Sequence, residues 1–515
     1  MLSFVARRFV ATLIVLLVAS FVVYVLTANS GDPLRELLQS RDPNAPFLIQ
    51  DRIEKLQLET PPVLRYFSWL GGAAGCFIGQ CDLGISIARG ELPVTSVIAT
   101  AMGSTLRLVT FATVLSILFG VAIGMTTALR QYSGYDYTVT FATFVFYSLP
   151  VFWVAVVLKQ YGAIAFNQFL GDPHIPWWFF FVFALVAGFI FMAIVGGGLE
   201  TRIRTFLYTG VGSGLLLVLL DLTNWFAQPS MGFIGVALFS IAISLIVASL
   251  TTGLRDKRAL IAFGLAGVVA PLALFQPFQF LFFFGNAGWT ILVSVAILAL
   301  IGAVVGFSLG GDRRINLAWL SALAAGLGTL PLVLDQMFQR WDTFQSIIPL
   351  SSGVISTIGS STPAIDRRDD YWLQMLDSAT HLFLPTLTLM IISLAAYTRY
   401  SRASLLEVMN QDYVRTARAK GLSERVVVMR HAFRNAMIPI ATIVAFDFGG
   451  LIGGAVITET VFAWKGMGAV FTDALAHTDV NLMMGFFLVT GVLAVIFNII
   501  ADLLYSALDP RIRVS

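Results

Sequence analysis

The chain has 515 residues, of which 57% are hydrophobic and 12% charged, with a formal net charge of +3 and a mean hydropathy of +0.84. Soluble domains carry about 25% charged residues to keep their surfaces wet, so this composition excludes a string of globular domains and places most of the chain in lipid. The charge balance, 32 basic against 29 acidic residues, excludes a basic nucleic-acid-binding face, and two cysteines exclude a disulfide scaffold or a Cys-rich metal site.

A helix crosses the hydrocarbon core with about 20 apolar residues, because each residue rises about 1.5 Å through roughly 30 Å. Apolar runs nearly free of charge predict spans over 9–29, 104–129, 137–158, 176–199, 205–227, 230–254, 259–284, 289–310, 315–334, 379–398, 435–458 and 481–501. The expected fold is an all-α polytopic membrane protein with about twelve transmembrane helices. The first run follows Arg7-Arg8 as a signal peptide would. It is too long for a signal core and lacks a small-x-small cleavage site, so it reads as an uncleaved anchor. Pro271 and Pro277 predict a kink in 259–284.

Orientation follows from the short loops. Arg7 and Arg8, Arg130, Arg202 and Arg204, Arg255, Lys257 and Arg258, and Arg313 and Arg314 fall in alternate loops, all on one side of the spans, whereas the intervening 224–229 and 285–288 carry no charge. The basic side is cytoplasmic, with both termini on it and Arg511 and Arg513 closing the chain. Residues 30–103, rich in proline and mixed charge, read as a small folded cap outside. Cys76 and Cys81 lie in this cap, either as a small-loop disulfide or as two free thiols. Residues 335–378 read as an outer loop with short helices.

The one long cytoplasmic segment, 399–434, runs into Pro439 and carries eight Lys or Arg by that point against Glu407, Asp412 and Glu424. Asp412 is placed to cap a short helix, Gly421 to end it in the left-handed region, and Ser423 to cap a second helix returning to the membrane. A basic loop of this kind either marks topology by binding anionic headgroups or forms a rigid docking protrusion.

Its residues favour the second reading. Asp412 to Pro439, DYVRTARAKGLSERVVVMRHAFRNAMIP, resembles the signature loop of ABC importer permeases, in particular the dipeptide/oligopeptide (and nickel) permease family. Similar matches are Gly31-Asp32-Pro33, Asp82-Leu83-Gly84, Ser104-Thr105-Leu106, Ser148-Leu149-Pro150, His381-Leu382 with Leu384-Pro385, the Gly449-to-Ala455 stretch, Glu459-Thr460-Val461-Phe462 and Leu508-Asp509-Pro510-Arg511. Where the general importer signature has Glu-Ala-Ala, this chain has Arg415-Thr416-Ala417, the pattern of the peptide branch. The resemblance covers about 1–170 and 346–515, a six-helix permease core. Residues 171–345 interrupt it with about six further spans, an even number that keeps the second half correctly oriented.

The resemblance implies a prokaryotic cytoplasmic-membrane subunit working with a second homologous permease, two ATPase subunits (or one fused ATPase) and an extracytoplasmic substrate-binding protein. It also implies that Asp412 to Arg430 docks on the ATPase as a coupling helix. Gly421 would set its bend and Ala417 allow close approach. Asp412, Arg415, Arg418, Lys420, Ser423, Glu424 and Arg425 complete the candidate coupling set. No G-x-x-x-x-G-K-S/T loop occurs, so ATP and magnesium are expected in the partner and no cofactor in this chain. The four histidines, His174, His381, His431 and His477, are scattered, and no metal site or catalytic constellation is legible. The cargo is a peptide or another cargo of that family, such as nickel, glutathione or heme. A twelve-span ion-coupled secondary transporter is the rival reading.

Asp447 is the one acid near mid-span. It lies either on the translocation path or at a helix interface with a second permease. Gly449, Gly450, Gly453 and Gly454, like Gly120 and Gly124, give G-x-x-x-G steps that serve helix packing or line a gate. The phenylalanine runs 179–181 and 282–284 read as lipid-facing bulk.

Overall fold

Without water in the hydrocarbon layer, a membrane chain must satisfy its peptide groups internally, which a helix does within itself. The computed structural model, which describes residues 2–254, 256–284, 288–348, 353–366 and 370–508, is accordingly helical. Among the described residues the one sheet is a two-stranded hairpin, Ile85–Ser86 against Leu92–Pro93.

In chain order, α1 (Leu2–Ala28) leads to the segment 30–93 with its short helices Ala45–Lys55 and Pro62–Ala74. Then come α2 (Val94–Leu129), α3 (Gly134–Ser148), α4 (Val151–Gly171), α5 (Trp177–Val195), α6 (Leu199–Leu222) and α7 (Gly232–Leu250). After them follow α8 (Lys257–Ala273), α9 (Phe275–Phe284), α10 (Trp289–Leu309), α11 (Gly311–Phe338) and α12 (Tyr371–Met409). The chain continues through α13 (Asp412–Ala419), α14 (Phe433–Gly454), α15 (Met467–Ala476) and α16 (Val480–Leu508).

Each of the twelve predicted segments falls on a helix or a broken pair. By length and apolarity, nine helices qualify as spans among the described residues, or eleven counting the pairs α3–α4, bent by 103°, and α8–α9, bent by 52°. The first break has a clear cause. Pro150 lacks an amide hydrogen and disfavours a helical residue before it, and both Leu149 (ψ 131°) and Pro150 (ψ 137°) are extended.

By packing, the chain divides into two units, 1–160 with 357–360 and 382–515, and 161–356 with 361–381. In the first unit, Gly120 and Gly124 bring α2 onto α12. A Cβ on Gly120 would meet that of Tyr397 at 2.7 Å, and one on Gly124 the Thr398 carbonyl at 2.5 Å, so these two glycines serve packing. The segment 30–93 is anchored by Tyr66, whose hydroxyl pairs with Ser20 at 2.8 Å, and by Asp479. The Asp479 carboxylate accepts from the Ser86 hydroxyl at 2.7 Å and the Ala88 amide at 3.1 Å. Cys76 and Cys81 are joined in a disulfide, in a loop where Gly72 and Gly75 pass too close to the Asp82 and Gln80 carbonyls to carry a side chain.

In the second unit, α5 and α6 meet at Gly188 and Gly210, and α10 and α11 at Gly302 and Gly306. Their neighbours form a core around Phe282, Leu332, Phe344, Ile365 and Trp372. Phe282 corrects the reading of 282–284 as lipid-facing: it is fully buried, with its ring 4.9 Å from Trp372 edge-on. Phe283 and Phe284 are 65% and 68% exposed. Asp335 is buried yet satisfied, accepting from the Gln279 amide at 2.6 Å, the Gly232 amide at 2.7 Å and Gln339 at 2.8 Å.

Truncating a buried aromatic leaves a cavity as well as lost transfer energy. Phe282→Ala should therefore cost about 3–5 kcal/mol and lower the thermal midpoint in detergent. Phe283→Ala and Phe284→Ala should leave that midpoint nearly unchanged in the same measurement.

Candidate functional site

The segment after α12 is amphipathic at close range. Val414 and Ala417, one turn apart on α13, are buried against Leu405 of α12, Ala128 of α2, and Val427, Ala432 and Ala436 on the path into α14. The other face presents Asp412, Arg415, Thr416 and Arg418 to solvent. Ala417 thus turns inward, and the close approach it permits is to its own chain. The N-cap of α13 is Gln411, not Asp412. Asp412 is the first residue inside the helix and makes no capping bond; it is fully exposed with its carboxylate 3.9 Å from the Arg415 guanidinium, where its charge still favours the positive end of the helix dipole.

Gly421 ends the helix as expected. Its φ is +76°, nothing lies within 4 Å of where a Cβ would sit, and its amide bonds to the Arg418 carbonyl at 2.9 Å. The glycine is therefore required by backbone conformation rather than by space. Ser423 occupies the next N-cap position with its carbonyl accepting from Val427, but its hydroxyl makes no capping bond.

Arg418 closes the turn. Its Nη2 donates to Glu424 Oε1 at 2.7 Å and its Nε to Oε2 at 3.1 Å. The hydrogen bond from Arg418 holds the Glu424 carboxyl below the usual glutamate range. Tyr413 accepts from the Asn435 amide at 2.8 Å, and Ser404 of α12 donates to the Ala436 carbonyl at 2.8 Å. Lys420, Glu424 and Arg425 remain on the outer surface.

Sequence reasoning missed two further contacts of α12. Arg402 makes a bidentate pair with Asp136, and the Arg399 guanidinium lies over the rings of Phe144 and Tyr147. It also missed the outer clamp of Glu459. That carboxylate is fully buried and accepts from the Thr105 hydroxyl and the Gly468 amide, both at 2.6 Å.

Asp447 of α14 interacts within its own chain with the buried hydroxyl of Tyr397 on α12. The surroundings of Gly449, Gly450, Gly453 and Gly454 lie outside what the structure describes. Among the described residues no group of three metal-ligating side chains converges. His381 bonds to the Asp377 carbonyl, whereas His477 reaches Glu36 at 3.6 Å.

Residues 120–514 match the family model described as the binding-protein-dependent transport system inner membrane component. The chain is 43% identical over 138 residues to the dipeptide transport system permease protein DppB of Escherichia coli (strain K12), which is 27% of this chain and 41% of that protein. It is 38% identical over 157 residues to the oligopeptide transport system permease protein OppB of Mycobacterium tuberculosis (strain ATCC 25618 / H37Rv), which is 30% of this chain and 48% of that protein. The chain spans less than half the length of each of these relatives.

The Arg418–Glu424 pair makes a pH-dependent prediction. A carboxylate favoured by folding contributes above the ordinary glutamate range, and the contribution is lost as pH falls through and below that range. Glu424→Gln should raise amide exchange across 418–427 at neutral pH and make no difference in acid, after correction for intrinsic rates. Because both side chains are partly exposed, the change in global stability should stay within about 1 kcal/mol.

Proposed function

The chain belongs to the family of binding-protein-dependent transport system inner membrane components, and we propose that it is the permease subunit of an ATP-driven ABC importer of di- or oligopeptides. Its helices make it a multi-pass membrane protein and its family a transport component. In this reading it forms half of a translocation path, with a second homologous permease forming the other half. Two ATPase subunits, or one fused ATPase, bind and hydrolyse ATP with magnesium, and an extracytoplasmic binding protein delivers the peptide. The chain itself holds no cofactor. The membrane is a prokaryotic cytoplasmic membrane, with the basic loops at Arg130, Arg202, Arg204, Lys257, Arg313 and Arg314 inward and both termini in the cytoplasm.

The observation that carries the reading is the construction of α13. Its inward face is fixed by Val414 and Ala417, its end by Gly421 and the Arg418–Glu424 pair, and its outward face is charged. A topology signal needs only positive charge. A lever needs stiffness, a buried footing on the membrane helices, and an exposed face for whatever pushes it. This segment has all three. Arg415, Lys420 and the neighbouring exposed Leu422 would meet the ATPase. Asp447 lies on α14 beside α12, where a change of helix tilt would be felt, and its polar group would border the path.

Affinity purification from the native membrane in mild detergent, with mass spectrometry of what accompanies the chain, should recover a second permease and an ATPase with a phosphate-binding loop. A chain that purifies alone, in a preparation where known complexes survive, would overturn the proposal in favour of an ion-coupled transporter. Reversing charge on the outer face with Arg415→Glu and Lys420→Glu should leave membrane insertion intact and remove the ATPase from the purified complex. Retention of the ATPase by that double variant would show that α13 is not its contact.

A further inference from the structure

We infer that Arg399 and Arg402 are positioning residues that lock α3 to the cytoplasmic end of α12, so that any displacement of α13 moves α3 and α12 as one body. The inference rests on the reading of α13 as the ATPase contact.

The two arginines lie one turn apart on α12 and hold α3 at two separate heights. Arg402 donates through Nε to Asp136 Oδ1 at 2.8 Å and through Nη2 to Oδ2 at 2.9 Å. Asp136 is only 2% exposed. It also accepts from the Tyr132 amide at 3.1 Å, and its own amide is capped by the Ser133 hydroxyl at 3.2 Å. The turn joining α2 to α3 is therefore part of the same knot. A planar guanidinium bonded at both oxygens of a carboxylate fixes direction as well as distance, which a lysine ammonium would not do.

Arg399 supplies the second point. Its guanidinium carbon lies 4.9 Å from the ring centre of Phe144 and 5.0 Å from that of Tyr147, residues themselves one turn apart on α3. Positions 136 and 144 are separated by about 12 Å of helix rise. One contact would pin α3 and leave it free to pivot, whereas two at this spacing set its tilt.

The rest of the arrangement gives the lock something to transmit. Arg402 lies seven residues before the end of α12 at Met409, and α13 begins at Asp412. Leu405, one turn past Arg402, packs directly on the buried face of α13. On another side of α12, Gly124 of α2 lies against Ser401 and the Arg402 backbone. At its far end α3 stops at the Leu149-Pro150 break, where the helical hydrogen-bond ladder is interrupted. A helix gripped at two heights along its length and broken just past the second can pass the change of direction to the break without unwinding.

The test uses the complete complex purified from its native membrane and reconstituted in lipid. Radiolabelled dialanine uptake is measured per ATP hydrolysed. Spin labels at Thr138→Cys on α3 and Thr416→Cys on α13 report the distance between those helices, since both native cysteines are occupied in a disulfide. Asp136→Asn and Arg402→Gln should each broaden the distance distribution and lower uptake per ATP by about 10-fold. The exchange Asp136→Arg with Arg402→Asp should recover part of both losses, which a defect of bulk stability would not explain. Arg399→Ala, on an exposed side chain, supplies a variant that folds if the buried substitutions do not, and should broaden the same distribution.

A narrow distribution in Asp136→Asn or Arg399→Ala would overturn the lock. A broadened distribution with unchanged uptake per ATP would overturn its role in coupling. If the complex neither hydrolyses ATP nor carries dialanine, the proposed function fails, and the distances alone then decide whether α3 and α13 are locked.

Discussion

Lipid supplies no hydrophobic force to draw one apolar helix to another, because the acyl chains are as apolar as the side chains they would be exchanged for. The architecture therefore depends on close backbone approach at small residues and on polar bonds protected from water. Gly120 and Gly124 against α12, Gly188 and Gly210 between α5 and α6, and Gly302 and Gly306 between α10 and α11 are the first kind of contact. Asp136 with Arg402, Glu459 with Thr105, and Asp335 with Gln279 are the second. In each of these polar contacts a buried carboxylate has at least two hydrogen-bond donors, the condition under which burying such a group stops being a penalty.

The division of labour between these contacts follows their placement. Glu459 binds the start of α15 through the Gly468 amide and holds the N-terminal half of α2 through Thr105, whose hydroxyl in turn accepts from the Met467 amide at 2.8 Å. That joint fixes both oxygens of the carboxylate, one to each partner. At the opposite end of α2, the contacts are made by alanine, leucine and valine around α13, with one guanidinium bridge to α3. Apolar packing tolerates small rotations that a directional hydrogen-bond network does not. The Glu459 joint is thus suited to staying in place, and the joint around α13 to small rotations.

Much of this could be read from residues alone where the signal was local. Gly421 was legible because one residue in a left-handed conformation ends a helix whatever surrounds it, and each apolar run fell on a helix or a broken pair. Boundaries and partners were less legible. Gln411 and Asp412 are adjacent, and with no side-chain capping bond to distinguish them, the more familiar capping residue was not the cap. The run 282–284 has no periodicity within three phenylalanines, and what buries Phe282 is Trp372, ninety positions away. Asp136 and Arg402 are separated by 266 positions, so no spacing rule joins them. The structure also settles a choice the residues left open, between a disulfide and two thiols at Cys76 and Cys81.

The helices of the second unit show what such a packed unit must supply for itself. A segment placed between two spans of a working membrane core must return the chain to the side it left, and it must bury its own polar groups without borrowing partners from that core. The second unit meets the latter condition internally: Asp335 and Gln336 are buried among Gln279, Gln339 and the Gly232 amide, all within that unit. Its aromatic core of Phe282, Phe344 and Trp372 is likewise its own. The polar bridge between α3 and α12 and the apolar packing around α13 are also made among residues of the first unit alone. The geometry at the C-terminal end of α12 is therefore set by residues of the first unit.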